Sequence, residues 1–298
     1  MINLQHGKRK VVQKMLHTEK NKVEGGTLYL VATPIGNLAD MSSRAIKVLT
    51  EADFIAAEDT RNTVRLLSSL GISAELVSYH EHNKREAGER ILARLAAGES
   101  CALVTDAGTP AISDPGADLV CLCADAGIPV TTVPGACALI TALTLSALDT
   151  TRFVFEGFLP VKSKERKIRI SDIAAEQRTV ILHEAPHKLR TTLDDLSEAL
   201  GVDRKIALCR ELTKLNEEIM RTTIGGAIEY YSEKEPRGEY VLVLEGRSDA
   251  DDAAPDMTPE EAVAFYEEQG MDKKDAIKSA AKLLGVPKNE IYNRIMKK

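Results

Sequence analysis

Tryptophan is absent from this chain and aromatic residues make up only 4% of it. No stretch approaches the ~20 consecutive apolar residues that a bilayer-spanning helix needs, so no integral membrane helix is expected. The segment Met1 to Glu24 is polar and basic with no apolar core, so no secretory signal is expected and the cytoplasm is the expected compartment. Cysteines are few and odd in number: Cys101, Cys121, Cys123, Cys137 and Cys209. They sit in apolar segments and read as reduced, buried thiols rather than a disulfide framework. Cys121 and Cys123 lack partner ligands for a metal site. Also missing are the motifs G-x-x-x-x-G-K-[ST], G-x-G-x-x-G after a strand, H-E-x-x-H and a paired C-x-x-C. Their absence argues against a phosphate loop, a nicotinamide or flavin cofactor, and structural zinc.

Positive charge is in deficit overall, with 39 Lys and Arg against 45 Asp and Glu, a net charge of −6. The deficit is local. Glu245 to Glu261 carries seven acids against Arg247 alone, which equals the net charge of the whole chain. With Ser248, Ala253, Ala254 and Pro255 it has the composition of an exposed linker. Basic residues gather elsewhere: in residues 1–26, in 161–170 and in 272–298. Any one such run is most simply a solvated face, but three of them point to a polyanionic partner.

The 298 residues are enough for about two domains and a small appendage. Short β-rich runs alternate with helical-period segments. Strands are predicted at Leu28–Thr33, Asp53–Ala57, Glu75–Tyr79, Cys101–Thr105 and Val130–Val133, with helices at Ser42–Glu51, Asn62–Leu70, Lys84–Ala97, Asp114–Ala126 and Ala136–Ala147. Gly71, Gly98 and Gly127 stand where three of these helices must stop. A second set follows, with strands at Phe153–Phe158, Arg178–His183, Lys205–Arg210, Ile219–Thr223 and Glu239–Leu244 and helices at Ser163–Glu176, His187–Leu200 and Gly225–Ser232. The expected class is α/β, in two lobes (27–150 and 151–247), the first built on a mainly parallel sheet and the second on a mixed one. A basic extension (1–26) precedes them. After the acidic linker (248–257) the tail (258–298) reads as three helices of helix-turn-helix type. They run from Thr258 to Gln269, Asp272 to Leu284 and Lys288 to Met296.

Three Gly- and Pro-rich loops follow strands of the first set: Thr33 to Leu38, Asp106 to Gly116 and Pro134 to Ala138. They leave one edge of a parallel sheet and are expected to converge on one pocket between the lobes. Titratable groups also stand at strand ends: Glu58 to Arg61, His80 to Arg85, His183 to His187 and Arg210 to Lys214. An acid beside Arg is commonly an ion pair, and a His beside Glu is as readily a surface pair as a base.

The runs Leu28 to Leu38, Ala57 to Arg61, Thr105 to Pro110 with Ser113 to Gly116, and Val133 to Gly135 resemble the bacterial small-subunit ribosomal RNA methyltransferases of the tetrapyrrole methylase superfamily. Gly157 to Pro160, Pro186-His187, Arg210 to Lys214 and Gly238 to Val243 extend the resemblance, and the three-helix tail resembles the C-terminal extension of those enzymes. It implies a two-lobed tetrapyrrole-methylase-like fold. It also implies S-adenosylmethionine (SAM) bound between the lobes, and 2′-O-methylation of a cytidine ribose in the decoding region of 16S rRNA. A homodimer is expected by the same resemblance. Cofactor contacts are implied for Pro34, Gly36, Gly108, Thr109, Pro110, Ile112, Ala136, Cys137 and Ala138. Thr109 stands where the superfamily has an acid, and Ala185 and Lys188 stand where Ser and Arg are common. For proton removal the candidates are Asp59, His80 and Glu81, with Arg61 orienting the carboxylates or holding phosphate. Lys162, Lys164, Arg166, Lys167 and Arg169 are the expected contacts to the RNA backbone. Methylation of a small tetrapyrrole, and a ligand sensor with a DNA-binding tail, are the competing readings.

Overall fold

The strand and helix patterns fold as two α/β lobes and a helical tail in a computed structural model that describes residues 22–248, 257–268 and 270–296. Most of the basic extension and of the acidic linker, and Gln269, lie outside the described residues.

The first lobe alternates β1 (Leu28–Val31), α1 (Ser43–Glu51), β2 (Phe54–Ala57), α2 (Thr60–Ser69), β3 (Leu76–Ser78), α3 (Lys84–Ala96), β4 (Cys101–Val104), α4 (Ala117–Asp125) and β5 (Val130–Val133). All pairings are parallel, in the order β3-β2-β4-β1-β5. Side chains alternate along each strand, so both sheet faces are buried. Leu28, Leu30, Phe54 and Leu103 meet α3 and α4 through Ile91, Leu95 and Leu119. Tyr29, Val31, Ile55 and Val104 meet α1 and α2 through Val48, Leu49 and Leu67.

The second lobe contains β6 (Phe153–Phe158), α6 (Ser163–Ala175), β7 (Thr179–Glu184), α7 (Leu189–Leu200), β8 (Lys205–Arg210), β9 (Glu218–Thr223), α8 (Ile224–Glu233) and β10 (Tyr240–Leu244). Its order is β6-β7-β10-β8-β9, with β6 and β7 parallel and the rest antiparallel. One face packs on α6, α7 and α8. The other is covered by α5 (Ala138–Leu145), whose Leu139, Ala142 and Leu143 lie among Ile181, Ala207, Val241 and Val243. Thus α5 follows the first lobe in sequence and packs on the second, which locks the two together.

The tail is α9 (Pro259–Glu268), α10 (Lys273–Leu283) and α11 (Lys288–Met296), packed around Val263, Ala276, Ile277, Ala280 and Ile291. Its expected capping box is present: Glu261 N–H donates to Thr258 Oγ1 at 3.3 Å, and Thr258 N–H to Glu261 Oε2 at 2.7 Å. The glycine stops also hold, with positive φ at Gly71, Gly98 and Gly127.

Helix starts differ from the sequence reading in two places that matter. Asp59 caps α2 by accepting from Arg61 N–H, so α2 begins at Thr60 rather than Asn62. Asp114 lies before α4, not in it, because Pro115 and Gly116 (φ 141°) hold the chain outside helical geometry. Of the cysteines, Cys101, Cys123 and Cys209 are buried, but Cys137 is half-buried and Cys121 exposed, contrary to the reading of all five as buried. Among the described residues no metal-ligand cluster occurs and no helix is long and apolar enough to cross a membrane.

Candidate functional site

The three Gly- and Pro-rich loops leave β1, β4 and β5, which are neighbours in the sheet, so they meet. Thr33 and Gly108 exchange backbone hydrogen bonds at 2.9 and 3.1 Å, and the Thr109 hydroxyl donates to the Ala136 carbonyl at 3.0 Å. The Thr109 side chain is therefore a tie between loops. Gly36 carries a different contact: a Cβ there would lie 2.4 Å from Lys214 Cγ and 2.8 Å from Thr213 Oγ1. The missing side chain lets the first-lobe loop press against the second lobe.

Between the lobes lies a cleft of about 480 Å³. Ile35, Ala107, Ser113, Asp114 and Ala138 line it from the first-lobe loops and the start of α5. Phe158, His183, Glu184 and His187 line it from the ends of β6 and β7 and the turn after β7, with Cys209, Leu212 and Val241 beside them. Of the nine implied cofactor residues only Ala138 lines the cleft, while Pro34, Gly36, Gly108, Ile112 and Cys137 adjoin the lining residues in sequence. Facing loops are both strained. Ala111 and Ser113 on one side, and Glu211 and Thr213 on the other, have φ between 52° and 68°. Non-glycine residues at such angles cost on the order of 1 kcal/mol each and concentrate at functional sites.

On the second lobe a bulge at Glu156 decides which way Phe158 points. The β6–β7 register shifts between Phe155 and Gly157, so Phe155 pairs with Ile181 and Phe158 with His183. Both phenylalanines therefore share one sheet face, which strict alternation would forbid. The His183 ring lies edge-on to both, at 5.0 and 5.4 Å between centroids. Its Nε2 is buried without a hydrogen-bond partner, and burial lowers its pKa, so the ring is held neutral. Phe158 itself is 58% exposed, a flat apolar surface at the cleft.

Glu184 is buried beside it. Its Oε1 accepts from Ala185 N–H at 2.8 Å and its Oε2 from the Thr192 hydroxyl. The Arg166 guanidinium completes this network, donating to Thr192 Oγ1 at 2.8 Å and to Asp195 Oδ2 at 2.6 Å. Arg166 thus points inward, unlike its neighbours in the basic run. Lys162 pairs with Glu165 at 3.4 Å and Arg169 with Glu156 at 2.6 Å, while Lys164 and Lys167 have no ion pair among the described residues.

The sequence-based proton acceptors fall elsewhere. The end loops of β2 and β3, beyond β4 in the sheet, contribute no residue to the lining of the inter-lobe cleft. Asp59 receives Arg61 Nε at 3.0 Å and Nη2 at 2.6 Å, and these bonds hold its carboxyl at a pKa of about 2. Glu81 pairs with Lys84 at 2.8 Å, and the His80 ring stacks edge-on to His82. Asp114, by contrast, lines the cleft with a pKa raised to about 6, first by burial and then by the nearby Glu58 and Asp106 carboxylates. The sequence held its signal in the Ser113-Asp114-Pro115-Gly116 run, where Pro and Gly argue against a helix start at Asp114.

The sequence pattern of the family described as Tetrapyrrole (Corrin/Porphyrin) Methylases matches residues 27–228. A protein of Synechocystis sp. is 45% identical over 278 residues, covering 90% of this chain and 96% of its own length. One from Bacillus subtilis is 46% identical over 277 residues, covering 91% and 94%. Both are named Ribosomal RNA small subunit methyltransferase I. Among solved structures, the uroporphyrin-III C-methyltransferase of Thermus thermophilus complexed with S-adenosylhomocysteine is similar in fold. Its TM-score is 0.53 at 17% identity, covering 74% of this chain and 97% of that one. A conserved hypothetical protein of Aeropyrum pernix K1 gives 0.60 at 16% identity, covering 92% and 98%.

Proposed function

Since this chain belongs to the tetrapyrrole methylase family, in the group of the ribosomal RNA small-subunit methyltransferases, it is a methyltransferase acting on rRNA, and we propose that it methylates the ribose 2′-oxygen of a cytidine in the decoding region of 16S rRNA, with SAM as donor. The observation that carries this reading is the inter-lobe cleft, where apolar walls meet a small set of polar groups.

The cleft fits a ligand with a flat apolar body and a charged tail. Ile35, Ala138, Leu212 and Val241 supply apolar surface, and the close approach permitted by Gly36 brings the loops from both lobes around it. In this reading the loops of Pro34, Gly36, Gly108 to Ile112, and Ala136 to Ala138 hold SAM, which supplies a methyl group on a positively charged sulfur. Phe158 offers its exposed face to an extruded base, and the edge-on His183 ring supports it. Outside the cleft, Lys162, Lys164, Lys167 and Arg169 stand on the solvent side of α6 for the RNA backbone, with Arg166 holding the helix in place. The proposal includes a cytoplasmic homodimer, which places two such faces on one large RNA.

The test is incubation of the purified protein with methyl-labelled SAM and either small ribosomal subunits or naked 16S rRNA. Label in an alkali-resistant dinucleotide beginning with cytidine supports the reading. Label on a base overturns the 2′-O assignment, and label only in an added tetrapyrrole returns the competing activity.

A further inference from the structure

We propose that a second groove, beside the inter-lobe cleft and anchored by Arg237, holds the phosphate of a nucleotide adjoining the one that is methylated; this deepens the rRNA reading above and rests on it. Strand register fixes a row of residues across one end of the second sheet. Phe158 pairs with His183, Tyr240 with both Glu184 and Arg210, and Arg210 with Glu218. Phe158, His183, Glu184 and Tyr240 line the cleft. Tyr240, Arg210 and Glu218 line a cavity of about 300 Å³, together with Tyr231, Lys234 and Arg237. Tyr240 is thus the wall between the two. From β10 to β9 is two strand spacings, roughly 10 Å, the scale of the step from an extruded base to the phosphate of its neighbour.

Most charges in this groove are already paired. Arg210 reaches Glu218 Oε2 from Nε at 2.9 Å and from Nη2 at 2.8 Å. Lys234 donates to the Tyr230 hydroxyl and lies 3.9 Å from the same glutamate. Glu235 is paired with Arg190 at 3.0 Å. Glu239, next to Tyr240, is held by Lys214 at 2.8 Å. Arg237 is the groove's one cation with no side-chain hydrogen bond or ion pair among the described residues. Glu233 is likewise unpaired there, but with Arg190 four cations stand against three carboxylates, so the groove is positive.

Arg237 is exposed, yet its backbone is fixed. Pro236 before it is buried, and the Arg237 N–H donates to Tyr240 Oη at 3.3 Å. Gly238 after it has a φ of 79°, and a Cβ there would lie 2.6 Å from Glu211 Cδ. Glu239 N–H donates to Glu211 Oε1 at 3.0 Å, and Glu211 N–H to the Glu239 carbonyl at 3.0 Å. A side chain on so firm a support binds without the entropy cost of ordering its loop. Its guanidinium offers the parallel N–H donors that match two phosphate oxygens.

An unpaired surface arginine is ordinary in itself; its place in the row is what matters. Lys162 and α6 follow Phe158 at the β6 edge, and Arg237 stands on the other side of the cleft, toward β8 and β9. An RNA strand held by both has its backbone anchored on either side of the extruded cytidine, which fixes the position of the ribose in the cleft.

Phosphate-ethylation interference reads the contact directly. Small ribosomal subunits treated with ethylnitrosourea are captured on the immobilised full chain, and the phosphates whose ethylation blocks capture are mapped. The wild type is expected to show interference at a phosphate adjoining the methylated cytidine, and R237Q to lose interference at that phosphate while keeping the rest. No wild-type interference beside that cytidine, or an unchanged pattern in R237Q, overturns the proposal. In steady-state methylation of subunits, R237Q is expected to raise KM about 5–50-fold with kcat within about twofold, and R237K to recover part of the loss. R152Q removes the same charge from an exposed site just before β6, at the opposite end of the sheet, and is expected within about twofold of wild type. An equal rise in KM for R152Q, or a fall in kcat alone for R237Q, overturns the groove. Calorimetry with S-adenosylhomocysteine is expected to give R237Q the wild-type affinity; a loss there assigns Arg237 to the cofactor and overturns the phosphate contact. All of these leave the rRNA reading standing, whereas a wild type that methylates no RNA overturns that reading and the groove with it.

Discussion

Replacing Arg166 with methionine separates two roles that the sequence assigns identically to five basic residues. The substitution keeps an unbranched apolar stem and removes the guanidinium. Lost with it are the 2.6 Å bond to Asp195 and the 2.8 Å bond to Thr192. Hydrogen bonds involving a charged group contribute roughly 1.5–3 kcal/mol each. The Asp195 side chain is 34% exposed and water can replace its partner, so that bond belongs at the low end. Thr192 is fully buried and stays tied to Glu184, so its oxygen loses a donor that water cannot supply. Together the loss is about 2–4 kcal/mol, a fall in melting temperature of roughly 3–6 °C for a chain of this size. Urea unfolding followed by circular dichroism measures it. K164A and K167A, which lose no ion pair among the described residues, are expected within about 0.5 kcal/mol of wild type. Their RNA affinity is expected to lose roughly 0.7–0.9 from the slope against log salt for each phosphate contact removed. R166M with wild-type stability and the same loss of salt slope as K164A would refute the inward assignment.

Three further outcomes are expected. In G36A the new methyl group meets Lys214 and Thr213, so the lobes are pushed apart at a cost of about 1–3 kcal/mol and S-adenosylhomocysteine binding weakens; calorimetry and thermal melting showing neither would remove Gly36 from the lobe contact. In F158A the apparent affinity for RNA drops by about 1–3 kcal/mol, the contribution of one stacked base, while S-adenosylhomocysteine affinity holds; equal loss of both would place the cofactor on that ring instead. D114N is more stable than wild type at pH 7.5 by about 1 kcal/mol, once solvent screening of a partly buried group is discounted. The sign follows from a folded pKa near 6 lying above the unfolded value of 3.8. The folded carboxyl binds its proton more tightly, so wild-type stability falls as pH rises from about 4 to 6 and the difference from D114N opens over that window. Denaturation midpoints that stay parallel from pH 4 to 8 would contradict it.

Ten strands and the helices between them were legible because their apolar periods are strong and their stops are glycines with positive φ. The convergence of the three loops was also legible, since loops leaving the same end of a parallel sheet can meet. Strand order was not. Glu58 to Arg61 and His80 to Arg85, at the ends of β2 and β3, are not among the residues lining the cleft, and no local pattern encodes the order β3-β2-β4-β1-β5 that sets them there. Asp59, one of three candidate bases, caps a helix and pairs with Arg61, as an acid beside Arg commonly does. Non-local packing hid the rest. The attachment of α5 to the second sheet depends on Leu139 and Leu143 meeting Ile181 and Val243. The cleft-facing Phe158 depends on a bulge at Glu156, invisible in a strand pattern read as regular.

The most direct measurement of the account is mass spectrometry of nuclease-digested 16S rRNA from small subunits incubated with the protein and deuteromethyl SAM. The account predicts one deuterated methyl group on the ribose of a single decoding-region cytidine. A deuterated methyl on any base, or its absence from the RNA, would contradict it.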